Sequence, residues 1–189
     1  MGNYRPITDI WFLARAKLKG GEKYYGAYLG GFPERARALL GCNINDPVLH
    51  VCGGKAKLYP YKRGFGPNDK TLDLDPQVKP DFLQDAREPW PLNGLPGNTS
   101  YWGGCLLDPP YSIEDAGKYA VGASAYPSPS LLVRRAFEVL PIGGRVGIIH
   151  YMPPSPPKNS VFVAAIGIMC GFNNRIRAYS VFEKTELPA

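Results

Sequence analysis

Proline and glycine divide this chain more sharply than any other feature of it. Twenty prolines and 22 glycines fall among 189 residues, so few stretches are long enough for a helix of three turns. Two stretches qualify. Residues 32–41, FPERARALLG, put Pro33 at a first helical position and Gly41 where a helix can end in the left-handed conformation. Residues 128–140 carry helical apolar spacing, with Ser128 or Ser130 as the N-cap and Gly143-Gly144 as the stop.

The other survivors are short and apolar, which suits strands. Residues 48–52, VLHVC, predict a strand running into Gly53 and Gly54. Residues 55–70 read poorly as helix because Pro60, Gly64, Gly66 and Pro67 interrupt them. Residues 71–76, TLDLDP, predict a strand ending in acids, and 82–86, FLQDA, predict another. A loop rich in Pro and Gly covers 87–102. An apolar strand over 104–107 then meets Asp108-Pro109-Pro110-Tyr111, and 145–151 is a strand rich in Val and Ile. The run Pro-Pro-Ser-Pro-Pro over 153–157 is neither helix nor central strand. Residues 161–170, a turn at 171–174 and residues 175–184 predict a closing hairpin. Strands alternating with helices and Gly stops argue for an α/β sheet, mostly parallel, with a C-terminal antiparallel hairpin and reduced helices. No internal repeat and no second domain are visible, so one domain over 1–189 is expected. Within it, 1–44 form an N-terminal extension and helix, and 45–184 form the core.

Composition narrows the classes of function. A formal charge of +6 favours polyanionic partners. Arg15, Lys17, Lys19 and Lys23, interleaved with Trp11, Tyr24 and Tyr25, are candidate contacts to phosphates and bases. No apolar run approaches the roughly 20 residues that span a bilayer, and the first residues lack the apolar core of a signal peptide. A cytoplasmic protein with no membrane partner is the default expectation. Cys42, Cys52, Cys105 and Cys170 form no CxxC pair, and His50, Cys52 and His150 lack compact ligand spacing, so no metal site is expected.

The sharpest chemistry lies in Asp108-Pro109-Pro110-Tyr111, because ligands of open α/β sheets bind at strand C-termini. An exocyclic amine on a base ring is a weak nucleophile, since its lone pair is delocalised into the ring. Two acceptors aimed at its N–H protons push the nitrogen toward a tetrahedral, more nucleophilic form. The Asp108 carboxylate and the Pro109 carbonyl can supply them, and the two prolines stiffen the strand end beforehand. Tyr111 offers a flat face on which an extruded base can stack.

These residues resemble the Asp/Asn/Ser-Pro-Pro-Tyr/Phe motif of the class I S-adenosylmethionine-dependent amino-methyltransferases, whose members methylate adenine N6 or cytosine N4 in DNA, guanine N2 in RNA, or a glutamine side chain. The resemblance covers about residues 45–184. It implies a Rossmann-like sheet and S-adenosylmethionine as cofactor. Segment VLHVCGGKA matches the family's Gly-rich turn, with Gly53 and Gly54 in place, His50 where an acid is usual and Cys52 where the first glycine often stands. Asp73, with Asp75 as the neighbouring alternative, matches the acid that holds the ribose. Asp85 matches the acid that accepts from the cofactor's adenine amine, with Ala86 as a backbone contact. Asp108, Pro109, Pro110 and Tyr111 are then the catalytic set, Asp108 also bordering the cofactor.

Two departures shorten the family pattern. The link from Leu74 to Phe82 is too short for a usual crossover, and the 153–157 run replaces a helix. The segment 112–129, carrying Lys118, Tyr119 and Tyr126, can form a lid over the substrate. Nothing in the length leaves room for a separate target-recognition domain. The expected substrate is adenine N6 of DNA, with an RNA base as the second reading and a catalytically weak cofactor-binding module or partner subunit as the third. Nucleic acid is the expected partner, DNA ahead of RNA, with a second copy of the chain or a recognition partner as further candidates.

Overall fold

The computed structural model describes residues 5–14, 28–58, 64–93, 101–119, 126–170 and 173–186. Its strands are β1 (Ile7–Leu13), β2 (Val48–Val51), β3 (Lys70–Asp73), β4 (Phe82–Leu83), β5 (Gly104–Leu107), β6 (Arg145–His150), β7 (Ser160–Cys170) and β8 (Asn173–Lys184). The helices are α1 (Phe32–Leu40), α2 (Ile113–Ala116) and α3 (Pro129–Glu138). One sheet runs in the order β1-β7-β8-β6-β5-β2-β3-β4. Every neighbouring pair is parallel except those made by β8, which runs antiparallel to both β6 and β7. This is the mostly parallel α/β sheet with a closing hairpin and few helices that the sequence implies.

Central strands β2 and β5 are buried along their whole length, as strands covered on both faces must be. Their alternate side chains feed two cores. Val48 and Leu106 join Phe32, Ala36 and Leu40 of α1 on one face. Leu49, Val51, Cys105 and Leu107 join Leu132, Val133 and Ala136 of α3 on the other, together with Trp90 and Trp102. Both indoles find backbone acceptors, Trp90 on Ala86 O at 2.8 Å and Trp102 on Pro91 O at 2.9 Å, so the irregular 84–93 and 101–103 segments are held without a helix. Gly41 ends α1 with φ 73°, in the left-handed geometry its residue type permits.

Several details depart from the sequence pattern. Strand β1 was not legible in it: its apolar residues are largely exposed, and its pairing partner β7 lies 157 positions away in register, Ile7 against Ala164. Trp11 of β1 packs on Phe32 and Tyr179, so it is a core residue rather than a nucleic-acid contact. Arg15, Lys17, Lys19, Lys23, Tyr24 and Tyr25 lie outside the described residues. Strand β4 stops at Leu83 and does not reach residue 86, because the Asp85 carboxylate accepts from Arg87 N at 2.9 Å and turns the chain. Between β3 and β4 the chain makes a single 3₁₀ turn, Pro76–Val78, whose Gln77 amide is capped by the Asp75 carboxylate.

Gly147 of β6 matters to the packing. A Cβ there would lie 2.1 Å from the hydroxyl of Tyr179, which is fully buried and reaches across to the Ala36 carbonyl of α1 at 3.4 Å. The ring has no room to yield. Gly147→Ala is expected to lower stability by about 1–3 kcal/mol through overpacking, read as an earlier midpoint in urea denaturation.

Candidate active site

The parallel strands β2, β3, β4 and β5 end along one rim, and backbone hydrogen bonds stitch their ends together. Asp108 N donates to Val51 O at 3.1 Å, Cys52 N to Leu72 O at 2.9 Å, and Gln84 N to Asp73 O at 3.0 Å. Cys52 leaves β2 with φ 55° and Gly54 follows with φ 54°, so the turn passes through the left-handed region at Cys52 and again at Gly54. Cysteine bears a strain there that glycine avoids. Gly53 between them sits tightly: a Cβ would come within 3.2 Å of Tyr28 Oη and 3.3 Å of His50 Cβ.

The acids gather around this turn. Burial pushes the Cys52 thiol far above its ordinary range, and Asp73, Asp108 and Asp85 push it further. Asp73 accepts from Gly54 N at 3.1 Å and Asp75 N at 3.0 Å. Burial raises its pKa against these bonds. Asp75 is taken up as the cap of the 3₁₀ turn, so of the two acids only Asp73 faces the glycine turn. Asp85 pairs through both oxygens with the Arg87 guanidinium, at 2.5 Å for the closest contact, and this bond holds its carboxyl below the usual range. Ala86 is buried beside it, its carbonyl occupied by Trp90.

His50 takes a different place from the one expected. It is 1% exposed and lies beneath the turn, its Nε2 3.1 Å from Asp69 Oδ2 and its Nδ1 3.4 Å from Tyr28 Oη. The reason is the carboxylate of Asp69, which also takes Val48 N at 3.0 Å, Gly66 N at 2.7 Å and the buried guanidinium of Arg37. His50 is thereby a support of the turn and not a surface of the rim. Sequence reasoning missed Asp69 and Arg37 because neither stands in a motif; only the fold joins them. Burial raises the Asp69 pKa, but His50, Arg37 and the Gly66 amide more than offset it, leaving it below the ordinary value. A depressed carboxyl contributes stability above its unfolded pKa that is lost as pH falls through the folded one. Asp69→Ala would strand the Arg37 charge in the core and is expected to cost about 3–5 kcal/mol, measured by chemical denaturation at neutral pH.

Asp108 follows β5, with Pro109 buried and Pro110 half-buried beyond it. Its carboxyl is pushed up to about 7, by burial first and by Asp73 as well, against Arg177 and a bond from Tyr111. Tyr111 Oη donates to Asp108 Oδ1 at 3.0 Å. The ring of Tyr111 is not the open platform its motif suggests. The Arg177 guanidinium lies over it at 5.3 Å, Tyr151 is 4.8 Å away by centroid, and His150 meets it edge-on at 5.8 Å. The physical cause is the hydroxyl, which turns inward to a buried acceptor. Burial keeps His150 below its usual pKa despite the Met152 and Tyr111 carbonyls, and its Nε2 has no hydrogen-bond partner among the described residues.

Outside Tyr111 a cleft of about 440 Å³ is lined by Ser112, Glu114, Asp115, Lys118, Tyr151 and Ile176. Ser112 caps the short helix α2 by accepting from Asp115 N at 3.0 Å, and Lys118 pairs with Asp115 at 2.6 Å. This segment begins the stretch expected as a lid, of which 120–125 lie outside the described residues. Among the described residues no helix is long and apolar enough to cross a membrane.

This sheet with its antiparallel eighth strand has the Rossmann-like fold of solved methyltransferases. TrmN from Thermus thermophilus superposes with a TM-score of 0.60 at 19% identity, over 85% of this chain and 50% of that one. The chain thus spans half the length of that neighbour. A putative RNA methyltransferase from Pyrococcus horikoshii gives 0.54 at 14% identity, over 89% and 92% of the two chains. The 1,6-didemethyltoxoflavin-N1-methyltransferase of Burkholderia thailandensis, solved with S-adenosylhomocysteine and 1,6-didemethyltoxoflavin, gives 0.53 at 14% identity, over 82% and 78%. No protein-family profile and no curated protein sequence matches the chain.

The raised pKa of Asp108 has a thermodynamic sign. The native state holds its proton at pH values where the unfolded chain has released it. The associated stability is present below about pH 4 and is lost as pH rises through about 7. Wild type is therefore expected to lose stability relative to Asp108→Asn between pH 4 and 7, as compared by denaturation of both proteins across that range.

Proposed function

We propose that this chain is an S-adenosylmethionine-dependent N-methyltransferase acting on an exocyclic amine of a nucleic-acid base. The observation that carries this reading is that Asp73, Asp85 and Asp108 follow neighbouring parallel strands on one rim, Asp73 accepting from the Gly54 amide of the glycine turn and Asp108 N bonding to Val51 O just before it, with Pro109-Pro110-Tyr111 next in the chain. The rim fits the cofactor's chemistry. Three carboxyls suit a cationic sulfonium in a protein that is basic overall. Asp73, oriented by the Gly54 and Asp75 amides, would hold the ribose hydroxyls. Asp85 would accept from the adenine amine, with Ala86 against the ring. Cys52, Gly53 and Gly54 would line the methionine part, their backbone close because little side chain intervenes. When bound, the cofactor supplies an electrophilic methyl group.

The chain's own residues prepare the amine. Ionised Asp108 and the Pro109 carbonyl accept its two N–H bonds and localise its lone pair on nitrogen. The amine must also shed a proton, and a carboxyl titrating near 7 is suited to take it. For a base to stack on Tyr111, the side chains now bracketing that ring must give way. Adenine N6 of DNA is the first reading, on the DPPY sequence and the net charge of +6. An RNA base is the second, favoured by the likeness to the Pyrococcus horikoshii protein, which is named a putative RNA methyltransferase.

The test uses tritiated-methyl cofactor with separate DNA, RNA and protein pools, followed by mass spectrometry of the labelled nucleoside. Labelled base nitrogen is the expected result, and a protein that binds cofactor but labels no pool overturns it. Asp108→Ala is expected to lose transfer by at least about 100-fold with cofactor affinity kept within a few-fold. The wild-type rate should rise with pH through about 7 as Asp108 ionises.

A further inference from the structure

Strand β8 brings a residue to this rim that no motif contains. Because β8 runs antiparallel to β6, its first residues lie where β6 ends: His150 is in register with Ala178 and Ile149 with Tyr179, so Arg177 falls one step past His150, beside the start of the 151–159 link. Arg177 spans β6 to reach the segment after β5. Its guanidinium carbon lies 5.3 Å from the centre of the Tyr111 ring, and the Tyr111 hydroxyl lies 3.0 Å from Asp108. Arg177 Nε is buried with no hydrogen-bond partner among the described residues. An arginine placed there only for packing would satisfy that donor or leave it in water.

We propose that Arg177 is a positioning residue of the methyl-acceptor site, the countercharge to Asp108 across the Tyr111 ring, which keeps Tyr111 directed at that acid. The proposal rests on the functional reading above and assigns to that site a residue from the far side of the sheet. Among the described residues, the groups that face the Asp108 carboxyl or its surroundings are Asp73 from the end of β3, the Cys52 thiol from the end of β2, Tyr111 on its own segment, His150 from the end of β6, which burial holds toward its neutral form, and Arg177 from β8. Asp73 opposes ionisation, and the thiol, held protonated by burial, gives no positive charge. Arg177 is the one cation among them, and of the influences favouring the carboxylate it is the largest. Planarity matters as well: a guanidinium can lie flat on a phenol ring while its charge acts on an acid beyond the ring edge, where a lysine ammonium would draw water with it.

The inference can be read in the free protein, with neither cofactor nor acceptor present. The Asp108 carboxyl resonance is followed by carbon NMR across pH in protein labelled with carbon-13 aspartate, and assigned by its loss in Asp108→Asn. Arg177→Met is expected to raise the Asp108 midpoint by about 1–3 pH units, with Asp85 unmoved. Arg177→Lys should raise it by less than half as much. Arg177→Gln gives the same comparison if the Met variant does not fold. An Asp108 midpoint unchanged in the neutral variants, or raised as much by Lys as by Met, overturns the proposal. A protein that transfers no methyl group yet shows the displacement defeats the functional reading alone. A transferase with no displacement defeats this inference alone.

Discussion

Bringing carboxylates together is costly, most of all out of water, and this fold sets three of them along one rim and buries two, Asp73 and Asp108. Parallel strands make that unavoidable, since every strand end points the same way and acids placed there must crowd. The chain answers each cost locally. Asp73 is held by two backbone amides, Asp85 by the fork of Arg87, and Asp108 by a phenol and a guanidinium. Asp108 is the least compensated of the three, which leaves its proton free to come and go near neutrality.

Below the rim a second cluster does different work. Asp69 collects His50, Arg37 and the amides of Val48 and Gly66, joining α1, β2 and the segment before β3. The turn that would cradle a cofactor thus stands on a buried ion pair. His50 at the end of β2 bonds to an acid from a neighbouring segment, Asp69.

Much of this was legible in the order of residues. The apolar runs ending in Gly53, Asp73, Asp85 and Asp108 predicted parallel strands with their chemistry at one end, because strand ends need turn residues and open α/β sheets gather their polar groups there. The helices at Pro33 and Ser128 announced themselves through Pro and Gly at their limits. What the sequence could not give depends on partners far along the chain. Strand β1 has no alternation of its own and exists by pairing with β7. Trp11 looked like a basic-patch aromatic because only the fold reveals the pocket of Phe32 and Tyr179. The inward turn of Tyr111, the support from Asp69 and the reach of Arg177 all join residues separated by other strands, where neither period nor spacing carries a signal.

The reversal of β8 has one more consequence. In every other strand of the sheet, the residues at the rim are the last ones laid down; in β8 they belong to its first half. Side chains alternate faces along a strand, so a slip of β8 by one position against β6 would set Ile176 or Ala178 where Arg177 stands and send the guanidinium to the opposite face. The electrostatics of the rim are therefore tied to the register of a hairpin that contributes no residue to the motifs of the site.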